Sequence, residues 1–368
     1  MDLLTATKEL SEAAGVSGFE SEVQSLIRTQ WEPFVDEFRQ DALGNLIAVR
    51  RGNTPAGESR RSVMLATHCD EIGLMITGIT EGFLRITEVG GIDPRVLPGQ
   101  EVTVHGRQAV AGIIGLRPPH LMQPAERKKP VPLSELFVDV GLSQEEAESL
   151  FDVGDPITLR VEATELRGER LTGKALDNRV SVAAAGYCLS LLKGMNHSWD
   201  VYAVATSQEE VGLRGAIVST YGLMPDLAIA IDVTFGAAPG LPETETFKVD
   251  GGPTIGFGPN AHPAMYTMLV DAAKAIEMPY QMEPIPGRSG TDGWALQVSR
   301  SGIPTALIGI PLLNMHTPVE VVAIPDVRRT GRLLAEFIRG LDSSSLDAMT
   351  FSLPGDEDEE TASAGATC

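Results

Sequence analysis

Five short polar stretches in this 368-residue chain carry side chains able to do chemistry: His68-Cys69-Asp70, Lys174-Ala175-Leu176-Asp177-Asn178, Gln208-Glu209-Glu210, Ile231-Asp232 and Met315-His316-Thr317. Each stands at or beside the end of an apolar run that reads as a buried strand. In an α/β sheet the carboxyl ends of several strands open on one crevice, however far apart they lie in the chain. Two histidines and several carboxylates meeting there form a nitrogen/oxygen donor set suited to zinc, cobalt or manganese. Glu209-Glu210 is the most informative pair. Neighbouring side chains at a strand end point to opposite sides. One carboxylate can then bind metal while the other stays free as the general base of a metallohydrolase. An isolated Glu-Glu is ordinarily a solvated pair, but here an apolar strand precedes it and Gly212 and Gly215 follow.

His68 and Asp70 alternate along their strand and so face the same way, one as ligand and the other as hydrogen-bond support. The competing reading of His68 is a satisfied core histidine. Asp232 closes an Ala-Ile-Ala-Ile run and reads equally as a loop or capping residue, and Asp177 equally as the cap of a helix opening at Asn178. Cys69 points away from its two neighbours and reads as a small buried apolar residue, as does Cys188 in a helical stretch. His105, His120, His197 and His262 lack a neighbouring carboxylate pattern and are read as structural or surface residues.

The elements that must position these groups follow from periodicity. The first 70 residues read helix, helix, hairpin, strand. Ser17 and Glu20 fit the S-x-x-E capping box, with Val23, Leu26 and Ile27 following at helical spacing. From about Ile72 to Arg167 the texture becomes short β-type runs separated by Gly, Pro and Asp, which suggests a barrel-like all-β insertion. One helix interrupts it, signalled by Ser143 as N-cap and acids in the next turn. Helices and strands then alternate to residue 342, ending in an amphipathic helix with Pro325 in its first turn. The expected fold is α/β, a layered αβα catalytic domain (1–70 and 168–342) carrying a small inserted barrel-like domain (71–167). Residues 343–368 are polar and acidic, and disorder is expected beyond Pro354.

Composition narrows the function. Apolar residues make up 43% of the chain and mean hydropathy is +0.02, as in ordinary globular domains. The longest nearly uncharged stretch, 180–192, is too short for the ~18 residues that span a bilayer. Net charge is −21, which repels phosphate backbones, so neither membrane nor nucleic acid is an expected partner. Three scattered cysteines make no disulfide framework, and the N-terminal stretch lacks the basic-then-apolar pattern of a secretion signal, so the expected location is cytoplasmic.

With these residues assembled, the chain resembles the glutamyl aminopeptidase/tetrahedral aminopeptidase family of dinuclear metallopeptidases, also labelled cellulase M-like, over about residues 5–342. The likeness is carried, in order, by THCDEIGLM, GGIDPRVLPGQ, GIIGLRPPHL, VDVGLSQEEAESL, GDPITL, LTGKALDNR, TSQEEVGLRGA, AIDVT, SGTDGWALQ and MHTPVEVV. The resemblance implies that Asp177 bridges two divalent ions, with His68 and Asp232 completing one site and Glu210 and His316 the other. It further implies Glu209 as general base, Asp70 orienting His68, and a cis Asp177–Asn178 peptide. It implies peptide substrates, and a barrel insert that supports a hollow tetrahedral dodecamer. Asp292 in SGTDGWALQ would help to position the substrate's amino end. Three positions depart from the family pattern: Cys69 for Met, Asn178 for a common Asp, and Leu313-Asn314 for an Arg-Tyr pair at the pocket rim. Side-chain preference is therefore not carried over.

Two other enzymatic readings compete. A metal-dependent deacylase acting on small acyl-amines would use the same machinery. An endoglucanase, the family's old label, needs two carboxyls about 5–9.5 Å apart and no metal, and 5% aromatic residues is thin for a sugar-stacking groove. A non-catalytic metal-binding scaffold would have lost the base, whereas this chain keeps Glu209.

Overall fold

Four strands, Asp200–Thr206, Ser62–His68, Leu227–Phe235 and Thr305–Leu313, are apolar on both faces, the pattern of parallel strands covered by helices on each side. In the computed structural model, which describes residues 1–121 and 129–351, these strands lie side by side in that order and mutually parallel. They form the centre of an eleven-stranded sheet. Glu37–Gln40 and Leu46–Arg50 extend it antiparallel on one side, and Glu320–Ala323, Arg170–Gly173 and Thr164–Leu166 on the other. Thr254–Phe257 pairs antiparallel with Thr305–Leu313 and carries Gln281–Pro284.

The two-residue period sorts side chains to two cores. Val63 and Leu65 join the layer containing Leu10, Ile27, Val180 and Leu333, from helices Leu3–Glu12, Ser21–Trp31, Leu176–Leu192 and Ile324–Arg339. Met64 and Ala66 face the opposite way, toward Ala216 and Leu296 of helices Arg214–Leu223 and Asp292–Gln297. Helix Pro263–Ala275 adds Met265 and Leu269 to the first layer.

Between the strands ending at His68 and beginning at Arg170, a closed barrel is formed by Gly73–Thr80, Phe83–Val89, Phe137–Asp139, Ala109–Gly115, Glu101–His105 and Pro156–Leu159. Its interior is separate, built from Leu74, Ile76, Leu84, Val102, Val138 and Ile157 among others. Helix Gln144–Leu150 opens with the expected capping box of Ser143 and Glu146. Thr164–Leu166 falls within the span assigned to the β insertion yet pairs with Arg170–Gly173 in the large sheet, so barrel pairing stops at Leu159.

A second correction concerns Ser17 and Glu20. Helix Ser21–Trp31 has no side-chain cap. The Ser17 hydroxyl instead donates to Asp70 at 2.6 Å, and Glu20 accepts the backbone N–H groups of Gly18 and Gln208. The S-x-x-E pattern serves a local bond to Gly18 and long-range bonds to Asp70 and Gln208. Among the described residues, no helix is long and apolar enough to cross a membrane. Of the tail 343–368, expected to be disordered, residues 343–351 are described and include a short 3-10 turn, Asp347–Met349, with Met349 buried, and the stretch beyond Pro354 lies outside the described residues.

Candidate active site

The carboxyl ends of the four parallel strands open on a cavity of about 690 Å³ lined by His68, Asp177, Glu209, Glu210, Asp232 and His316. His68 is the last residue of its strand, and Thr206 lies opposite it in register. Asp232 sits within Leu227–Phe235, level with Gly309, where pairing to the His68 strand has already stopped at Ala230↔Ala66. That parting of strands makes room for side chains between them. Asp177 enters from helix Leu176–Leu192, whose first turn is not helical at Asp177 and Asn178 and whose Asp177–Asn178 peptide is cis. His316 lies in the loop after Thr305–Leu313. Glu209 and Glu210 stand in a turn beyond Thr206, not at the end of an alternating strand. Their separation is therefore set by the turn and not by the strand pleat.

Two triads share Asp177. His68 Nε2 is 3.2 Å from Asp177 Oδ1 and 3.7 Å from Asp232 Oδ1. His316 Nε2 is 3.3 Å from Asp177 Oδ2 and 3.4 Å from Glu210 Oε1. One donor atom from each member of a triad lies within 4.8 Å of the others. Two ligands about 2.1 Å from a common ion stand roughly 3.4 Å apart at a tetrahedral angle, so both triads have the spacing of a ligand shell. Glu209 belongs to neither; its Oε2 is 4.0 Å from His68 Nε2.

The electrostatics carry the same sense. Burial pushes Glu209 up to about 10, helped by Asp232, Asp292 and Glu210 nearby. Burial likewise raises Glu210 and Asp232. Hydrogen bonds to Asp177 and Glu210 lift His316 to about 11, and His68 is held well above its usual value by Glu209 and Asp177 against burial. Burial opposes ionisation of Asp177, but the bonds to His316 and His68 outweigh it and draw its carboxyl down. A buried cluster with this excess of carboxylates needs added positive charge, and its nitrogen and oxygen donors suit divalent ions of the zinc, cobalt and manganese type. The residues present therefore fit such ions.

Asp70 is fully buried behind the cavity. It accepts the backbone N–H groups of Glu209 at 3.0 Å and Glu210 at 3.1 Å, and its Oδ1 lies 3.5 Å from His68 Nδ1. Those bonds, after the opposing effect of burial, lower its pKa. Asp292 is not brought into the cavity. Only 3% exposed, it accepts a 2.5 Å bond from the Thr206 hydroxyl, and burial raises it to about 7. Cys69 is buried, with its thiol pushed up to about 12 by burial.

A family model described as M42 glutamyl aminopeptidase matches residues 44–333. The chain belongs to the M42 glutamyl aminopeptidase family. It is a hydrolase, a metallopeptidase of the aminopeptidase class. A lysyl aminopeptidase of Pyrococcus furiosus is 34% identical over 91% of this chain and 96% of its own. The TET aminopeptidase of a marine-sediment Thaumarchaeota archaeon superposes with TM-score 0.89 at 33% identity, covering 95% of this chain and 99% of that one. The TET1 peptidase of Pyrococcus horikoshii does so with TM-score 0.81 at 30% identity, covering 92% and 100%.

In this M42 aminopeptidase, several supporting residues escaped the sequence reading. Gly90-Gly91, from the loop after barrel strand Phe83–Val89, presses on the site: the Gly91 carbonyl lies 2.8 Å from His316 Nδ1. A Cβ at Gly91 would stand 3.3 Å from that nitrogen, and one at Gly90 3.4 Å from Glu210 Cβ. The GGIDPRVLPGQ motif was visible, but nothing in it pointed to His316. Buried Glu71 pairs with Lys174 at 2.7 Å, tying the His68 loop to the Asp177 segment. Asn178 donates to the Ile231 carbonyl at 2.9 Å, beside Asp232. Asn314 has φ +58, a left-handed conformation that Asn tolerates, and its amide donates to Val319 O. It borders a separate cleft with Arg95 and Gln100.

Proposed function

We propose that this chain releases N-terminal residues from peptides, with two divalent ions per subunit held by His68, Asp177 and Asp232 and by Asp177, Glu210 and His316. The observation that carries this reading is the sharing of Asp177 by two triads with Glu209 free beside them. When bound, such ions lower the pKa of water and polarise a peptide carbonyl. Glu209 accepts the proton of the attacking water at its carboxylate and returns it to the departing amine. Asp70 keeps the Glu209–Glu210 turn and the His68 ring in place through its bonds. The acidic cavity wall favours a substrate's free α-ammonium, which restricts cleavage to the first residue.

The barrel of residues 73–159 forms, on this reading, an inserted unit that supports assembly, and the enzyme is a cytoplasmic homo-oligomer. The relative from P. horikoshii assembles into a tetrahedron or an octahedral shell, and a dodecamer is known for the same protein type. We assign the tetrahedral dodecamer to this chain.

The test uses metal-free protein refilled with zinc, cobalt or manganese and offered a panel of aminoacyl-anilides beside their N-acylated counterparts. Turnover should need added metal and a free amine. Glu209→Gln should lower kcat by about 10²–10⁴-fold with bound metal unchanged. Preference for N-acylated substrates would make the enzyme a deacylase, and retained turnover in Glu209→Gln would remove Glu209 from its role.

A further inference from the structure

Glu320 takes no part in the chemistry above, yet its side chain is 2% exposed and enclosed beside the site. Its Oε1 accepts the backbone N–H of His316 at 2.8 Å, and its Oε2 accepts that of Asp177 at 3.1 Å. These residues come from remote parts of the chain and their side chains meet in the second triad, His316 Nε2 being 3.3 Å from Asp177 Oδ2. We propose that Glu320 is a positioning residue that ties the main chains of Asp177 and His316 together and thereby sets how tightly the Asp177–Glu210–His316 triad holds its ion, without touching that ion. The inference rests on the two-ion reading of the site.

Two observations support it. His316 has φ +60, a left-handed conformation that a non-glycine residue keeps only where its surroundings over-determine it. Its N–H is held by Glu320 and its ring by the Gly91 carbonyl, which leaves Nε2 facing Asp177 and Glu210. Second, Glu320 begins strand Glu320–Ala323, which pairs with both Thr305–Leu313 and Arg170–Gly173. Those strands lead into the His316 loop and toward Asp177. Its carboxylate therefore stands on a rigid element between the two segments it joins. Both carboxyl oxygens of Glu320 accept a main-chain N–H, and loss of such support typically weakens metal affinity about 10–100-fold. Among the described residues, the His68–Asp177–Asp232 triad is linked to Glu320 through the Asp177 backbone.

The test is a cobalt(II) titration of metal-free full-length protein, read by the visible absorption of bound cobalt and by metal content after dialysis. Wild type should take up two ions. Glu320→Gln places an amide NH₂ against one of the two N–H donors, and Glu320→Asp keeps the carboxyl group but is one methylene too short to reach both. Each should bind the ion of the Asp177–Glu210–His316 triad about 10–100-fold more weakly, with a smaller loss for the other ion, which shares Asp177 but not His316 with Glu320. Asp326→Asn serves as control, because Asp326 is also buried and accepts two backbone N–H groups, from Asp250 and Gly252, away from the site. It should titrate as wild type. Unchanged cobalt binding in both Glu320 variants overturns the proposal, as does an equal weakening in Asp326→Asn or failure of both Glu320 variants to fold. Failure of wild type itself to take up two ions would instead refute the two-ion reading.

Discussion

Replacing Asp70 by Asn tests whether the site is held from behind by one buried carboxylate. Oδ1 accepts Glu209 N–H, and Oδ2 accepts both Glu210 N–H and the Ser17 hydroxyl. An Asn fits the space but can turn only one oxygen toward these donors. If its NH₂ takes the Oδ1 position, Glu209 N–H is orphaned. If it takes the Oδ2 position, the Ser17 hydroxyl can rotate to accept, but Glu210 N–H is orphaned. An unpaired buried donor costs about 1–3 kcal/mol, and the bonds that remain lose their charge assistance, roughly half their strength. A destabilisation of about 2–4 kcal/mol follows from these two effects. The turn then relaxes and Glu209 shifts against the substrate, so kcat/KM should fall about 10–100-fold, or about 1.4–2.7 kcal/mol of transition-state stabilisation. The loss should fall on kcat more than on KM, since the general base acts in the transition state. Ser17→Ala should be milder, because Oδ2 keeps the Glu210 donor. The assays are melting curves at fixed protein concentration and aminoacyl-anilide hydrolysis at saturating cobalt. Asp70→Asn with wild-type melting and wild-type turnover would refute this account.

Lys174→Met should destabilise the protein by about 3–5 kcal/mol, since among the described residues it leaves the buried Glu71 carboxylate with Arg179 at 3.7 Å as its cationic partner; an unchanged unfolding midpoint would show that the pair does not hold the site loops. His197 is held below its ordinary pKa by burial. The unfolded chain therefore binds the extra proton first, so the His197 contribution to stability is present above about pH 6.5 and is lost as pH falls below it. His197→Asn should flatten the acid side of a plot of melting temperature against pH between 5 and 7.5, and curves parallel to wild type would count against it.

The strands that carry the site were legible because they are apolar on both faces. Ser62–His68 and Leu227–Phe235 are runs that only a helix-covered parallel sheet can bury. The polar residues at their ends stood out against that background, and the Ser143–Glu146 capping box could be read because its partners are three residues apart. Such signals are local: periodicity and capping report what a residue does with neighbours a few positions away. Residue type at strand ends, together with the family motifs, was enough to single out as candidates His68, Asp177, Glu209, Glu210, Asp232 and His316, which line one cavity.

What only the tertiary structure decided is how those groups are held. Ser17 and Glu20 looked like a cap, but their oxygens serve Asp70, Gly18 and Gln208. Glu320 stood in the MHTPVEVV motif with no role attached, and no pattern tied it to the N–H groups of Asp177 and His316. The barrel read as a separate module, yet its Gly91 carbonyl sets the ring of His316, while Asp292 from a strong motif lies beneath the cavity. Most of these bonds join a side chain to the main chain or a side chain of a remote segment. Their partners are chosen by how loops pack over the sheet edge, and a linear sequence carries no period for that.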